Sequence, residues 1–349
     1  MKFKPLRLVY MFFARIFVRM FVRVFVRFFV PLAAVVALSG CAAIQVKLGM
    51  RVYLEKIPIT SIQAKQSDGQ GMAPGEKSPL IVTVTQPDGK VLTTEGKGHG
   101  KVLWKDLTVT PSVVSAGKKG VVVLSRDPRI SDGKIPHVSI AVPSHPDLHA
   151  DLDIPVEYDR QFTANFSGRS GSSGVDGTSG PDGTSGLSGS NDPDHPSAGG
   201  DGSDGGSGSD GSNGGDGEDG PPVLVRITLR PGSHPLLQAG VSARGVEQLF
   251  LVDPQGGTLT VLDEGGSGGP GGKGGRGGRG GSGGSGTPDG HSGRDGSDGR
   301  DGLNGSRGRG GSITVIYDPH AGPYLGRLKL LNEGGPKPVF REQTVPPLW

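Results

Sequence analysis

The residues best suited to metal or acid–base chemistry lie between positions 99 and 153. They are His99, His137, His145, His149, Asp147, Asp151 and Asp153. Imidazole nitrogens and carboxylate oxygens bind zinc, so the segment SHPDLHADLD (144–153) is a candidate metal site. Its prolines indicate a loop, where such side chains are usually solvated, and we predict no metal, no cofactor and no catalytic residue. A secreted hydrolase or metal-binding module that uses His145 and His149 is the alternative.

Cys41 is the only thiol of the chain, so it cannot form an internal disulfide. It follows the segment FFVPLAAVVALSG (28–40), which is apolar, ends in small residues and comes after a basic stretch. This order of basic, apolar and small residues is typical of a secretory signal. We therefore expect residues 1–40 to be a signal peptide.

Leu38, Ser39, Gly40 and Cys41 resemble the lipobox of bacterial lipoproteins. The resemblance implies that the peptide is cleaved before Cys41 and that acyl chains on this cysteine bind the membrane. Several acyl chains hold a protein stably on a bilayer, where one does not. Ala42, in place of the aspartate of retained family members, implies delivery to the outer membrane, with the periplasmic face and the cell surface both open. The alternative is a transmembrane anchor followed by a buried cysteine.

The basic residues of the chain are concentrated at its start. Residues 1–40 carry seven Lys and Arg and no acid, whereas the whole chain has a net charge of +3. Arg15, Arg19, Arg23 and Arg27 are four residues apart, on one face of a helix. They fit a long signal n-region, or a start at Met20, and alternatively a helix at the membrane surface. The basic isoelectric point therefore does not predict a nucleic-acid partner.

Residues 41–167 read as a β domain. Strand-like segments rich in Val, Ile and Leu alternate with turn signals such as QPDGKV (86–91). The expected strands lie within 50–57, 79–86, 101–110, 120–125, 137–142 and 152–159. No segment has a sustained helical period. The pattern predicts an immunoglobulin-like β-sandwich without the paired cysteines of antibody domains.

Glycine becomes periodic from residue 168 onward. Four runs each hold eight glycines spaced three residues apart: run 1 from Gly168 to Gly189, run 2 from Gly199 to Gly220, run 3 from Gly265 to Gly286 and run 4 from Gly290 to Gly311. The breaks within the two pairs, at 190–198 and 287–289, contain proline with aspartate, which is typical of turns. A flexible linker needs no such register. We therefore expect each run to be an ordered leg.

A period of three with glycine indicates polyproline-II geometry, with a rise of about 3.1 Å per residue. The runs resemble bacterial collagen-like proteins, which implies a trimer of parallel chains. They contain little proline, however, and run 3 is Gly-Gly-X, which gives two glycine faces. The runs also resemble glycine-rich antifreeze and phage-tip proteins, which implies an antiparallel polyglycine-II bundle within one chain. We favour the monomeric bundle and keep the homotrimeric triple helix as the alternative.

Strand-like segments lie between and after the paired runs. They are PVLVRITLR (222–230), PLLQAGVSA (235–243), QLFLVDPQGGTLTVL (248–262), SITVIYD (312–318) and YLGRLKLLN (324–332). We predict one sheet from them, with a hairpin at DPQGG and with runs 3 and 4 as an excursion from that sheet. The expected divisions are therefore 41–167, 168–221, 222–263, 264–311 and 312–349. The tail FREQTVPPLW (340–349) is expected to pack on this β unit.

The two pairs of runs have opposite charge. Residues 168–220 have one Arg against nine Asp and one Glu, and residues 265–311 have seven basic residues against four Asp. Opposite charge favours association of the pairs, although exposed ion pairs are weak. GGDGSDGGS (199–207) resembles a calcium nonapeptide but lacks its aliphatic position and its period of nine. KGGRGGRGG (273–281) resembles an RGG box, which an exported chain without interleaved aromatics does not support.

Taken together, these features predict a mainly β, non-catalytic, lipid-anchored envelope protein with a glycine-rich rod. A structural or adhesive role is expected, with a polysaccharide or a cell-surface component as partner and no nucleic acid. A collagen-like trimeric adhesin and a secreted hydrolase or metal-binding module are the alternatives. The first is distinguished by a trimeric mass, and the second by loss of activity or metal on mutation of His145 and His149.

Overall fold

The computed structural model describes residues 45, 46 and 48–349 and is mainly β, as predicted. The chain divides into two compact units, unit 1 up to Glu157 and unit 2 from Tyr158 to Trp349. The predicted division at 167 differs, because residues 161–165 form a strand that pairs within unit 2. The predicted signal peptide and Cys41 lie outside the described residues.

The described residues of unit 1 form eight strands and four short 3-10 helices. The strands are β1 Ser61–Gln66, β2 Lys77–Thr85, β3 Val91–Thr93, β4 Thr108–Ser112, β5 Val114–Ala116, β6 Val121–Leu124, β7 His137–Val142 and β8 His145–Asp153. The 3-10 helices are Leu54–Lys56, Gly96–Gly98, Trp104–Asp106 and Pro128–Ile130. The predicted strand at 50–57 is wrong, since a 3-10 helix lies there.

The strands of unit 1 form two antiparallel sheets. One has the order β1-β2-β6-β5, with β3 paired to β2, and the other has the order β4-β7-β8. Alternate residues of β2 and β7 are buried, among them Val82, Val84 and Ile140, as expected for strands with one face toward a core. Trp104 joins this core and donates from Nε1 to the carbonyl of Glu95 at 3.3 Å.

Unit 2 contains ten strands and one 3-10 helix, Pro319–Arg327. The strands are β9 Gln161–Asn165, β10 Asn191–Asp192, β11 His195–Pro196, β12 Val223–Arg230, β13 Leu236–Ala243, β14 Val246–Val252, β15 Thr258–Leu262, β16 Ile313–Tyr317, β17 Leu328–Leu331 and β18 Val339–Glu342. The short pair β10–β11 lies in the break between runs 1 and 2.

Two larger sheets of unit 2 replace the single sheet that the sequence predicts. One has the order β14-β13-β12-β16-β18, and the other has the order β17-β15-β9. The predicted hairpin at DPQGG is also wrong, because β14 and β15 belong to different sheets and β15 pairs with β9 instead. Alternating apolar residues identify strands, but they do not identify strand partners, which here include parallel neighbours distant in sequence.

Parallel pairing of strands determines where the glycine runs begin and end. β9 and β15 are parallel neighbours, and runs 1 and 3 follow them directly. β12 and β16 are also parallel neighbours, and runs 2 and 4 lead directly into them. Runs 1 and 3 therefore leave the sheet β17-β15-β9 side by side, and runs 2 and 4 lead side by side into the sheet β14-β13-β12-β16-β18.

The tail contributes to unit 2 through β18 and through residues near the C-terminus. β18 is the edge strand next to β16. Val345 is buried, and the amide of Leu348 donates to the side-chain oxygen of Gln238 at 3.1 Å. The last residues therefore lie against the sheet of unit 2.

Candidate functional site: the four glycine runs

His99 directly follows the 3-10 helix Gly96–Gly98, whereas the other predicted histidine and aspartate residues lie on strands and not in a loop. His145 and His149 both belong to β8, because residues 145–153 pair with β7. His137 on β7 contacts Asp153 at 2.8 Å through Nδ1 and Asp151 at 3.3 Å through Nε2. The hydrogen bond to Asp153 raises the pKa of His137 above its ordinary value. These contacts are exposed ion pairs across neighbouring strands.

Residues that could hold a metal do not converge in this region. Within the part of the chain that the structure describes, no group of three or more His, Cys, Asp or Glu side chains is arranged around a common point. The predicted lipidation residue Cys41 and the lipobox residues Leu38, Ser39 and Gly40 lie outside that part. Among the described residues the structure has no helix whose length and apolar character would let it cross a bilayer.

The glycine runs are connected to one another by regular backbone hydrogen bonds. In run 1 the N–H of every glycine from Gly168 to Gly189 donates to run 3, over 2.6–2.8 Å. In run 2 the N–H of every third residue from Gly199 to Gly220, each a glycine, donates to Pro288 in the break or to run 4, over 2.8–2.9 Å. Runs 1 and 3 are therefore parallel to each other, and so are runs 2 and 4, as are the strands at their ends.

Antiparallel contacts complete the network. Run 2 donates to run 1 at every third residue from Gly200 to Glu218, and run 3 donates to run 2 from Gly266 to Gly284. Run 4 donates to run 3 from Gly290 to Gly308. Runs 2 and 3 therefore each contact the three other runs, whereas runs 1 and 4 each contact runs 2 and 3.

The ends of the runs are fixed by neighbouring groups. At the distal end, Gly286 donates to the carboxylate of Asp289 at 2.9 Å. At the opposite end, the amide of Gly311 donates to the carbonyl of Asp263 at 2.9 Å. Gly265 is buried, and a Cβ there would overlap the backbone of Gly308. The eight predicted boundary glycines thus all lie within the contact network.

Space and not backbone conformation requires glycine in the runs. None of the run glycines has a φ in the left-handed region. A Cβ on Gly275 would instead overlap the carbonyl oxygen of Thr178 in run 1, and one on Gly277 would overlap that of Gly296 in run 4. Each missing side chain lets a carbonyl of the next run approach the Cα hydrogens, which is the geometry of a Cα–H···O contact.

The aspartates of the runs accept hydrogen bonds from backbone N–H groups of neighbouring runs. Asp204 and Asp210 of run 2 accept from the amides of Arg294 and Arg300 in run 4, at 2.6 and 2.7 Å. The other aspartates and asparagines that act in this way are Asp176, Asp182, Asp201, Asn213, Asp216, Asp219, Asp295, Asp298, Asp301 and Asn304. We call this set the Asx ladder.

The members of the Asx ladder that join parallel runs keep the register of the sheets. Asn165 and Leu262 pair in β9 and β15 at the same separation, 97 residues, as Asp176 and the amide of Lys273 in the runs. The separation between β12 and β16 is likewise repeated at 90 residues between runs 2 and 4. The ladder uses the aspartates as acceptors for amides, a role that the charge balance of the sequence does not reveal. The recurrence of Asx at the third position of triplets is the signal that points to it.

A buried carboxylate lies where the runs meet the sheets. Asp263, which follows β15, has no exposed surface, and its two side-chain oxygens have no hydrogen-bond donor. A Cβ on Gly220 or on Gly311 would overlap these oxygens, so the ends of runs 2 and 4 cover the carboxylate. Burial raises the pKa of Asp263 to about 7, although the positive charge of Arg244 acts in the opposite direction.

Comparison of the chain with protein-family models, curated proteins and solved structures finds no match. Function is therefore argued from the geometry of the runs alone. That geometry offers extended rows of exposed side chains at a constant interval, held by backbone contacts.

Proposed function

We propose that the chain is a non-catalytic, lipid-anchored envelope protein whose runs form a polyglycine-II bundle within one chain. In this proposal the bundle is a stiff rod about 70 Å long that spaces or displays polar side chains. Unit 1 is proposed to be an immunoglobulin-like sandwich. Its two antiparallel sheets and shared core support that reading.

The single observation that carries the proposal is the inter-run hydrogen-bond network. Glycine amides of each run find acceptors in the same chain, at intervals of three residues. A collagen triple helix needs three chains to supply such acceptors, whereas here one chain is sufficient. Run 3, which is Gly-Gly-X, contacts one more run than run 1, which is Gly-X-Y, so the additional glycine face accompanies an additional neighbour.

The proposed role is structural or adhesive. Exposed aspartates, arginines, serines and threonines follow one another along the runs, and apolar side chains are isolated among them. Such a surface suits polar partners, and we propose a polysaccharide or another envelope component. Acylation of Cys41 would hold the chain on the outer membrane. No nucleic acid or cofactor is part of this proposal.

A disulfide experiment tests whether the bundle forms within one chain. Ser170 in run 1 and Ser267 in run 3 have Oγ atoms 2.9 Å apart, within the reach of a disulfide. In a Cys41→Ser background, S170C/S267C should oxidise within the chain and remain a single-chain band on a non-reducing gel. The matched control S173C/S267C moves one cysteine by one triplet, about 9 Å, and should not close. Three-chain ladders from S170C/S267C would instead support the collagen-like trimer.

Lipid attachment requires a separate test. Metabolic labelling with a radioactive fatty acid should label the wild-type chain, and Cys41→Ser should remove both the label and the sedimentation of the chain with outer membranes. An unlabelled wild-type chain would contradict the proposed anchor. It would leave the bundle itself untouched, because none of the inter-run contacts involves Cys41.

A further inference from the structure

Runs 1 and 2 share a face that is almost free of charge. The second residue of each triplet lies on it, as shown by Thr178 and Ser209, and by Thr184 and Ser203, whose hydroxyl oxygens are 3.1 Å apart in each pair. This neutral face consists of Arg169, Ser172, Val175, Thr178, Pro181, Thr184 and Leu187 of run 1 and of Gly200, Ser203, Gly206, Ser209, Ser212, Gly215 and Glu218 of run 2.

The neutral face differs from the other surfaces of the runs. Its only charged members, Arg169 and Glu218, lie at the end nearest the sheets, and the remaining strip is about 50 Å long. Val175 and Leu187 are 73% and 85% exposed on it. Elsewhere runs 2 and 4 place Asp or Arg at most triplets, and run 3 has Lys273, Arg276 and Arg279.

The neutral face has a ridge beside a groove. Run 1 provides the ridge, with Val, Thr, Pro and Leu at the second triplet positions. Run 2 provides the groove, because its second triplet positions from Gly200 to Gly215 hold only Gly and Ser. Backbone hydrogen bonds set the levels, since Gly200 donates to the carbonyl of Leu187 and Gly206 to that of Pro181. Each larger residue of the ridge therefore has a glycine or serine beside it at the same level.

We propose that the neutral face is a dimer interface at which two copies of this chain pair with their runs parallel, an inference that rests on the proposed in-chain bundle. A two-fold axis parallel to the runs places the ridge of each copy over the groove of the other. It also brings Arg169 of each copy to the level of Glu218 of the other, and the present contact of Glu218 with Arg244 at 3.5 Å is exposed. The face is thus complementary to itself, as a two-fold interface must be.

The antiparallel arrangement is excluded by the same features. A two-fold axis across the runs would set ridge against ridge and leave the groove empty. It would also place Arg169 at the level of uncharged residues of the distal end. Parallel pairing keeps both rods pointing the same way, which is compatible with two chains anchored in one membrane.

Sedimentation equilibrium of the full chain in density-matched detergent tests the proposal. The wild-type chain should have a mass of two chains that decreases on dilution. T178K/T184K puts four lysines into the interface, so its dissociation constant should rise at least about tenfold. S203D/S209D should weaken the dimer in the same way, because it puts four aspartates into the interface. The bundle itself should remain folded, because aspartate can accept the hydrogen bonds that the amides of Thr184 and Thr178 now donate to Ser203 and Ser209. A mixture of the two variants should recover the two-chain mass, because lysines then face aspartates.

The matched control is S179K/S185K, which makes the same change in the same run but on the side toward run 3. It should keep the wild-type dissociation constant. A wild-type mass of one chain, or equal effects of T178K/T184K and S179K/S185K, would overturn the dimer and leave the bundle intact. A three-chain mass that neither pair of lysines changes would overturn both the dimer and the bundle, and the S170C/S267C gel would then show interchain products.

Discussion

Unit 1 and the glycine runs of unit 2 are ordered by different interactions. Unit 1 has a continuous core of buried aliphatic residues together with Met72 and Trp104. The runs have no such core, and their large apolar side chains Val175, Leu187 and Leu303 are exposed. What is buried in the runs is backbone, above all the row of glycines from Gly266 to Gly284 in run 3. One chain thus contains a region stabilised by packed side chains and a region in which the absence of side chains lets backbones pack together.

The difference shows what can replace apolar burial. Each amide–carbonyl bond contributes a net of about 0.5–1.5 kcal/mol, so a long series of them can order a chain that has almost nothing apolar to bury. The series forms only if the backbones approach one another closely, which is why every third residue must lack a Cβ. The Asx ladder adds acceptors for amides that no carbonyl reaches. In the runs, the register of the backbones therefore determines which groups come into contact, as the shapes of the side chains do in the core of unit 1.

The largest effect is expected from adding methyl groups to the buried glycine row. In G272A/G275A/G278A each new Cβ would overlap a carbonyl of run 1, at Val175, Thr178 and Pro181. Overpacking costs about 1–3 kcal/mol per site, so unit 2 should lose at least about 3 kcal/mol. Hydrogen exchange of run amides under native conditions, followed by mass spectrometry, should show this loss while unit 1 keeps its protection.

A second variant tests unit 1 by removing side-chain volume from its core, whereas G272A/G275A/G278A adds volume to the runs. Ile140→Ala in β7 empties part of a core in which Ile140 has no exposed surface, and should cost about 2–5 kcal/mol in unit 1 alone. Arg276→Ala, on the exposed side of run 3, is the control for run 3 and should change little. Equal protection of run amides in the triple variant and in the wild type would refute close backbone packing.

The second effect concerns Asp263, a buried carboxylate where runs 2 and 4 meet the sheets of unit 2. The pKa of Asp263 is raised to about 7 in the folded chain, so folding takes up a proton between the ordinary pKa of a carboxyl and that value. The contribution of Asp263 to the stability of unit 2 should therefore be greatest in acid and decrease as the pH rises to 7, with no further loss above it from this group. Asp263→Asn should be about 2–4 kcal/mol more stable than the wild type at pH 8 and equal to it near pH 4.

Urea unfolding of unit 2 across this pH range, followed at the run amides, measures the effect. Asp194→Asn, in the exposed break between runs 1 and 2, is the control and should shift stability by the same small amount at every pH. Parallel pH profiles of Asp263→Asn and the wild type would show that Asp263 keeps its charge when buried.

The sequence predicts elements better than it predicts their partners. β2, β7, β12, β13 and β16 lie where alternating apolar residues place them, and the mainly β class is confirmed. The pairing of β9 with β15 and of β12 with β16 was not predicted, because parallel neighbours far apart in sequence leave no local signal. The sequence also does not predict strand β8, because its proline and its charged residues are typical of a loop. β8 is an edge strand of its sheet, and an edge strand tolerates proline.

For the runs, the period of glycine predicts that contacts between runs recur every three residues, but it does not predict which runs are neighbours. Which runs lie together depends on the register of the strands that precede and follow them, and this register is a property of the folded sheets. The aspartates were interpreted through their charge, as partners for the basic residues of runs 3 and 4. Their hydrogen bonds to amides depend on distances between backbones that no composition reveals.

The smallest effect separates these two roles of the aspartates. D204A/D210A removes the acceptors of the amides of Arg294 and Arg300, and should cost about 0.5–1.5 kcal/mol at each site, again measured by exchange of run amides. D204N/D210N removes the charge but keeps an acceptor oxygen, as Asn213 does naturally for the amide of Leu303 at 2.8 Å. Stability near the wild type for the asparagine variant would assign the ladder to hydrogen bonding. Equal losses in both variants, abolished by high salt, would assign it instead to ion pairing between exposed charges, which salt screens.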